Sequence, residues 1–269
     1  MCPESLPISK AIPSEFVRRR LHSLAGLFFV FFLFEHLFTN SKAAFFFGDD
    51  GATFITMVNL IHSLPFLPLI EIFLLAVPIL IHVYLGLLYL YESKTNSWKT
   101  DGTKPALRFP RNYAFSWQRI TSLILVVGLL AHVINLRFMH HPQEVGRKGQ
   151  YSVEVAPDEG LKTLAPRLNT ELIEKDQWVA VAPDFGTAAL LLVRENFRTP
   201  WICVLYTIFV LAASFHAANG LWTFSIVWGI ALNENSRRLV RLISNLFGLL
   251  LATGGLAAIW LTYWINLRN

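Results

Sequence analysis

FFVFFLFEHLFTN, residues 28–40, holds the question on which the fold turns. Phe, Val and Leu fill it except at Glu35, His36, Thr39 and Asn40. A carboxyl group and an imidazole side by side in a run otherwise fit for lipid are expensive to place there, so they are functional suspects. One imidazole alone decides little. What decides the fold is whether other histidines fall in matching places.

Working outward, the chain is 54% hydrophobic, with 22 Phe and 8 Trp in 269 residues, the composition of a polytopic membrane protein. Five apolar stretches can cross a hydrocarbon core of about 30 Å, which takes about 20 helical residues. They fall near 21–40, 66–91, 117–138, 200–224 and 240–265. The apolar run Ala188–Val193 is too short to span. Residues 43–64 read as a loop in preference to a surface helix. The expected organisation is a tail over 1–20, three spans with their loops over 21–138, an insert over 139–199, and two spans over 200–269.

Some chemistries are excluded. Cys2 and Cys203 are the two cysteines, far apart, and form no disulfide framework or CxxC metal or iron–sulfur site. Neither GxGxxG nor GxxxxGK[ST] occurs, so the chain has no nucleotide or flavin signature. The first twenty residues are polar and end in Arg18, Arg19 and Arg20, unlike a cleavable signal peptide. The net charge of +5 suits anionic membrane lipid or an acidic partner, and no nucleic acid is expected.

Short-loop charge gives the orientation. Lys10 and Arg18–Arg20, then Lys94, Lys99, Lys104, Arg108 and Arg111, then Arg237 and Arg238, all fall on one side. The opposite first loop has Lys42 alone. The expectation is a multi-pass protein of the cytoplasmic membrane, N-terminus inside and C-terminus outside. The insert then lies outside, as a small ordered cap or a floppy segment.

Of the eight histidines, His62, His140 and His141 lie in outer loops and His22 at the inner mouth of the first span. His36, His82, His132 and His216 lie inside the first four spans, one on each. At 1.5 Å per residue, His36 and His132 are about 23 Å from the inner edge, and His82 and His216 about 6 Å from it. The four residues form two level pairs. In an up-and-down four-helix bundle, spans one and three are diagonal, as are two and four. With neighbouring axes 8–10 Å apart, the diagonal is about 13 Å, enough for two imidazoles with one iron in a flat porphyrin between them. A bare metal would want further ligands at the same level. Two haem b groups, each held by two histidines, therefore fit better than zinc or copper. Small residues one turn from the ligands (Gly128, Gly86, Ala212, Gly220) leave helix surface for a macrocycle edge. His36, flanked by Phe32 and Asn40, lacks this. Pro78 should kink the second span and free a carbonyl. The fold class expected is an all-α membrane protein of five transmembrane helices, the first four forming a bundle around two stacked b haems. A proton-coupled transporter using buried His and Glu is the competing reading, but the halves show no internal repeat.

These residues resemble a known family. RRLHSLAGLFFVFFLFEHLFTNS is similar to the first helix of the di-haem cytochrome b membrane-anchor subunit of succinate:quinone oxidoreductases, which include succinate dehydrogenase and fumarate reductase. LIHVYLGL, LAHVIN and FHAANGLWTFSIVWGI resemble its later ligand segments. The resemblance covers about 15–138 and 198–265. It implies an anchor for a flavoprotein subunit and an iron–sulfur subunit on the cytoplasmic face, not catalytic alone. His82 and His216 would hold the proximal haem iron, and His36 and His132 the distal one. Ser23 matches a serine that helps hold a proximal propionate. Some members carry a proton-path Glu where this chain has Ser214. Electrons would pass from succinate through the partners and the two haems to a quinone (menaquinone or ubiquinone). An anchor cytochrome of a different dehydrogenase needs the same histidines and stays open. Glu71 and then Glu35 are the candidate acids of a quinone site near the outer pair, at the level of His62. An inner site would instead use His22 and Trp117.

Overall fold

In a computed structural model, the described residues are 13–44, 49–92, 110–146, 149–174 and 177–268. Lys10, Lys94, Lys99, Lys104 and Arg108, which carried expectations above, lie outside them. Five helices are long and apolar enough to cross a membrane. Span one is α1 (Ser14–Ala44). Span two, Leu67–Glu92, runs as α3 (Leu67–Ile70), a π-helical segment Glu71–Ala76 and α4 (Val77–Glu92). Span three is α5 (Pro110–Val133), continued by a π-helical segment Ile134–Met139. Spans four and five are α8 (Pro200–Val227) and α9 (Glu234–Arg268).

The helices begin earlier than hydropathy expects at the end remote from the insert. Charges explain this in span one. Glu15 accepts a 2.7 Å hydrogen bond from Arg19 Nε, an i,i+4 pair that supports a helix without apolar residues. Arg18 reaches Glu92, 3.4 Å away, and ties the start of span one to the end of span two. In span two the wide π turn directly precedes Pro78, whose ring nitrogen cannot donate to the carbonyl one turn back, so the freed carbonyl is absorbed by re-spacing the helix.

Span one packs against spans two, four and five, and span three against span four. Val30, Leu33 and Leu37 of span one, Ala213 and Ala217 of span four and Leu251 of span five form one buried cluster. The fifth span thus lies outside the four-helix arrangement, against its one–four side. It approaches closely because glycines face span four. A Cβ on Gly248 would lie 2.6 Å from Ala218 Cβ, and one on Gly255 2.5 Å from Val210 Cγ1. Contact between bare backbones is how spans associate where lipid removes the hydrophobic drive.

Residues 52–62 form helix α2 (Ala52–His62), where a loop was expected. Two forces override the weak pattern. Asp49 accepts hydrogen bonds from the amides of Gly51 and Thr53 at the helix start. Phe54 is 2% exposed, buried in the core of the insert rather than in lipid.

The insert is an ordered cap. Strands β1 (Gln143–Glu144), β2 (Tyr151–Glu154), β3 (Glu171–Glu174) and β4 (Trp178–Ala182) form an antiparallel sheet in the order β1-β2-β4-β3. Helices α6 (Glu159–Arg167) and α7 (Phe185–Asn196) start at Asp158 and Asp184, whose carboxylates accept amides at 2.7 and 2.8 Å. Val153, Leu161, Leu164, Ala180, Leu190 and Leu191 form its core with Phe54 and with Ala43 at the end of span one. The short apolar run Ala188–Val193 is the buried face of α7. All-α therefore describes the membrane part, and the insert adds a small sheet to it.

Candidate functional site: two histidine pairs

The helices bring the four intramembrane histidines together in two pairs. His36 and His132 have ring centroids 5.8 Å apart with planes at 85°. His82 and His216 are 6.2 Å apart at 83°. The first pair lies at the insert end and the second at the arginine-bearing end. Span one faces span three, and span two faces span four, across the bundle.

Hydrogen bonds fix three of the four rings. His82 Nδ1 lies 3.0 Å from the main-chain carbonyl of His22. A carbonyl only accepts, so Nδ1 carries the proton and Nε2 keeps the lone pair a metal takes. His216 Nδ1 lies 3.2 Å from Thr121 Oγ1, whose own proton goes to the Trp117 carbonyl, 2.8 Å away. His216 is therefore set in the same way. His132 Nδ1 shares a 3.1 Å hydrogen bond with the Tyr206 hydroxyl. His36 is held by packing. Phe32 stacks on it at 5.4 Å, and Asn40 donates 2.8 Å to its carbonyl. Of the two residues that broke the small-residue pattern, Phe32 thus supports the ring and Asn40 the main chain behind it.

The donor set fits a metal held between two imidazoles. Metal–nitrogen bonds of about 2.0–2.1 Å, with about 1.1 Å from each nitrogen to its ring centre, put facing ring centres about 6 Å apart. Both pairs have this separation. Among the described residues no group of three or more His, Cys, Asp or Glu could hold a metal. Two ligands per level suit an ion whose other positions are filled by a macrocycle. A cavity of about 310 Å³ adjoins the insert-end pair, lined by His36 and His132, by apolar side chains, and by Arg137, His141, Asn40 and Asn196. Apolar walls with a polar margin suit an apolar ring bearing polar substituents. Burial, then Arg137 and His62, hold the His141 imidazole below its ordinary range against the opposing pull of Glu71.

The small residues fare unevenly. Gly220 has nothing within 4 Å of an added Cβ, as a macrocycle edge would need. The surface at Gly128 is covered by the Phe209 ring, 2.5 Å from an added Cβ, and that at Gly86 by His22 Nε2 at 3.4 Å. His22 is more than a residue at the mouth of span one. Its ring stacks on His82 at 4.1 Å and 10°, with Tyr89 edge-on at 5.4 Å.

The candidate acids do not line the cavity. Glu71 Oε2 pairs with Arg137 Nη2 at 2.8 Å, joining the two π-helical segments. Glu35 accepts 2.7 Å from Thr39 Oγ1 on its own helix. His62 stacks on Phe185 at 4.0 Å, and Ser23 is half-buried near the start of span one. Gln118 and Asn219, which the sequence did not single out, join Arg111 in completing the arginine-bearing end. Gln118 donates to the His216 carbonyl at 3.3 Å, Asn219 to Gln118 at 2.9 Å, and Arg111 to Asn219 at 3.2 Å, with the Arg111 guanidinium 3.4 Å over Trp222. Polar side chains in spans are the available signal for such a network.

Fold and site together define a five-span membrane protein with paired histidines at two levels. No family model matches the chain. Over 247 residues it is 27% identical to the succinate dehydrogenase cytochrome b558 subunit of Bacillus subtilis (strain 168), covering 91% of this chain and 96% of that protein. The similarity extends over nearly the whole of both chains, and it supports the resemblance drawn from the four histidine segments.

Proposed function

We propose that this chain is the membrane cytochrome b subunit of a succinate:quinone oxidoreductase. It anchors a flavoprotein and an iron–sulfur subunit at the cytoplasmic face and carries their electrons to a membrane quinone. The observation that carries this reading is the pairing of four histidines from four successive spans at separations of 5.8 and 6.2 Å. The relative's name supplies the dehydrogenase.

His82 and His216 would hold a proximal haem b, and His36 and His132 a distal one. Held by two histidines each, such groups would supply one-electron transfer rather than oxygen chemistry. The His22 carbonyl, Thr121 and Tyr206 orient three of the rings, and partners of this kind also set ligand basicity. Ser23 and Arg111 stand at the end where proximal propionates would emerge. A quinone headgroup near the distal pair would draw on the Glu71–Arg137 pair for protons and hydrogen bonds, with Glu35 as the second acid.

The test is to purify the intact complex and measure haem and turnover together. About two b haems per chain by pyridine haemochrome, and succinate-dependent quinone reduction, are expected. A chain without haem, or one bound to a dehydrogenase of another substrate, would contradict the reading.

A further inference from the structure

Helix α7 of the insert is fastened at both ends. At its start, Asn59 of α2 donates 2.8 Å to Asp184 and accepts 2.7 Å from the Gly186 amide. There is no room for a side chain at residue 186, where a Cβ would lie 2.5 Å from the Ile55 carbonyl. At its end, Asn196 Oδ1 accepts 3.2 Å from Asn135 Nδ2 of span three. Tyr206 of span four, which holds His132 Nδ1 at 3.1 Å, is met by Phe197 at the foot of the same helix. The insert therefore contacts the phenol that orients one ring of the insert-end pair.

The same helix walls the cavity beside that pair. Phe185, Ala189, Leu192 and Asn196 line it together with His36 and His132. Phe185 is wedged between His62, stacked at 4.0 Å, and Tyr151, edge-on at 5.3 Å. Phe197, 8% exposed, packs edge-on against Tyr206 at 5.1 Å. Without the insert the cavity would open at its outer end.

We propose that the insert 139–199 is a working part of the His36–His132 site: it roofs the cavity with α7 and positions His132 through Phe197 and Tyr206. This rests on the reading of that pair as a haem site. The physical consequence has two parts. The hydrogen bond at Nδ1 sets the orientation and donor strength of a ligating imidazole, and the roof keeps water, and so a high dielectric, from the iron. Phe197 and Tyr206 are positioning residues, acting through His132.

Three variants of the full chain in its complex test this. Tyr206→Phe removes the phenol hydroxyl, Phe197→Leu removes the ring packed against it, and Phe185→Ala opens the roof. The readouts are low-temperature electron paramagnetic resonance of the ferric haems and redox titration. Each variant is expected to shift the signal and midpoint of the distal haem alone. Phe185→Ala should lower that midpoint, since admitted water favours the ferric charge. Unmoved distal signals in Tyr206→Phe and Phe185→Ala would overturn the proposal. So would equal changes at both haems, which would assign the insert to general stability. Absence of haem from the unsubstituted chain would overturn both this proposal and the reading beneath it, so the two failures are distinct.

Discussion

The His22 main-chain carbonyl, on span one, accepts a 3.0 Å hydrogen bond from His82 Nδ1 on span two, while the two rings lie stacked 4.1 Å apart. The contact needs a bare helix surface one turn on. A Cβ on Gly26 would stand 2.7 Å from His82 Cε1 and 2.9 Å from Nδ1. Gly26→Ala must therefore displace the ligand ring. It is expected to remove the proximal haem or shift its midpoint, with the distal haem as an internal control on folding. His22→Phe keeps the carbonyl and a flat ring, and should retain both haems by pyridine haemochrome.

Glu71 and Arg137 pair at 2.8 Å where two π-helical turns meet, and both side chains are partly exposed. Charged groups inside spans are costly to place and mark functional sites, so the pair is a candidate for proton handling. Glu71→Gln is expected to lower quinone reduction at least about 100-fold, the lower end for loss of a general acid. Both haem spectra and succinate oxidation with an artificial acceptor should be spared. Normal quinone turnover in this variant would move the site to the opposite end, beside His22 and Trp117.

In the insert, Arg194 is 2% exposed and pairs with Asp158. Burial pushes the Asp158 carboxyl up, but the Arg194 hydrogen bond, the Leu161 amide and the charges of Arg194 and Arg198 outweigh it and hold the group below the usual carboxylate range. A carboxyl depressed by folding stabilises above its unfolded value of about 3.9, and that stability is lost as the pH falls through the folded value. Hydrogen-exchange protection factors in α6 and α7 should therefore hold at neutral pH and fall in acid. Asp158→Asn removes one charge of this buried pair and should lower the same protection at neutral pH.

On the arginine-bearing face, Arg18 and Arg19 are engaged by Glu15 and Glu92, and Arg238 lies 3.7 Å from Glu234. Arg237 is exposed. Charge reversal at Arg237 and Arg238 should leave haem content intact and weaken retention of the iron–sulfur subunit on purification. Unchanged assembly would assign the two residues to topology alone.

The spans and the matched histidines were legible because lipid imposes a simple rule: apolar residues for about 30 Å, with any polar one there for a reason. Depth arithmetic worked for His36, His82, His132 and His216 because helix rise is constant. It could not show that His22 would stack on His82, since that depends on the rotation of span one about its axis and on Gly26. Nor could it show Asn196 or Tyr206, whose partners are distant in sequence and lie on a different element. Helix α2 was missed because its apolar residues face the insert, a core with no counterpart in lipid. Gly128 and Gly86 read as free surface because spacing gives the bare position and not the neighbour that covers it.

The central claim is that four histidines act as two pairs. Redox titration of the four single His→Ala variants, followed by low-temperature paramagnetic resonance, tests it most directly. His82→Ala and His216→Ala should abolish the same one of two low-spin signals, and His36→Ala and His132→Ala the other. Any different grouping, or an unsubstituted chain with no low-spin haem at all, would contradict it.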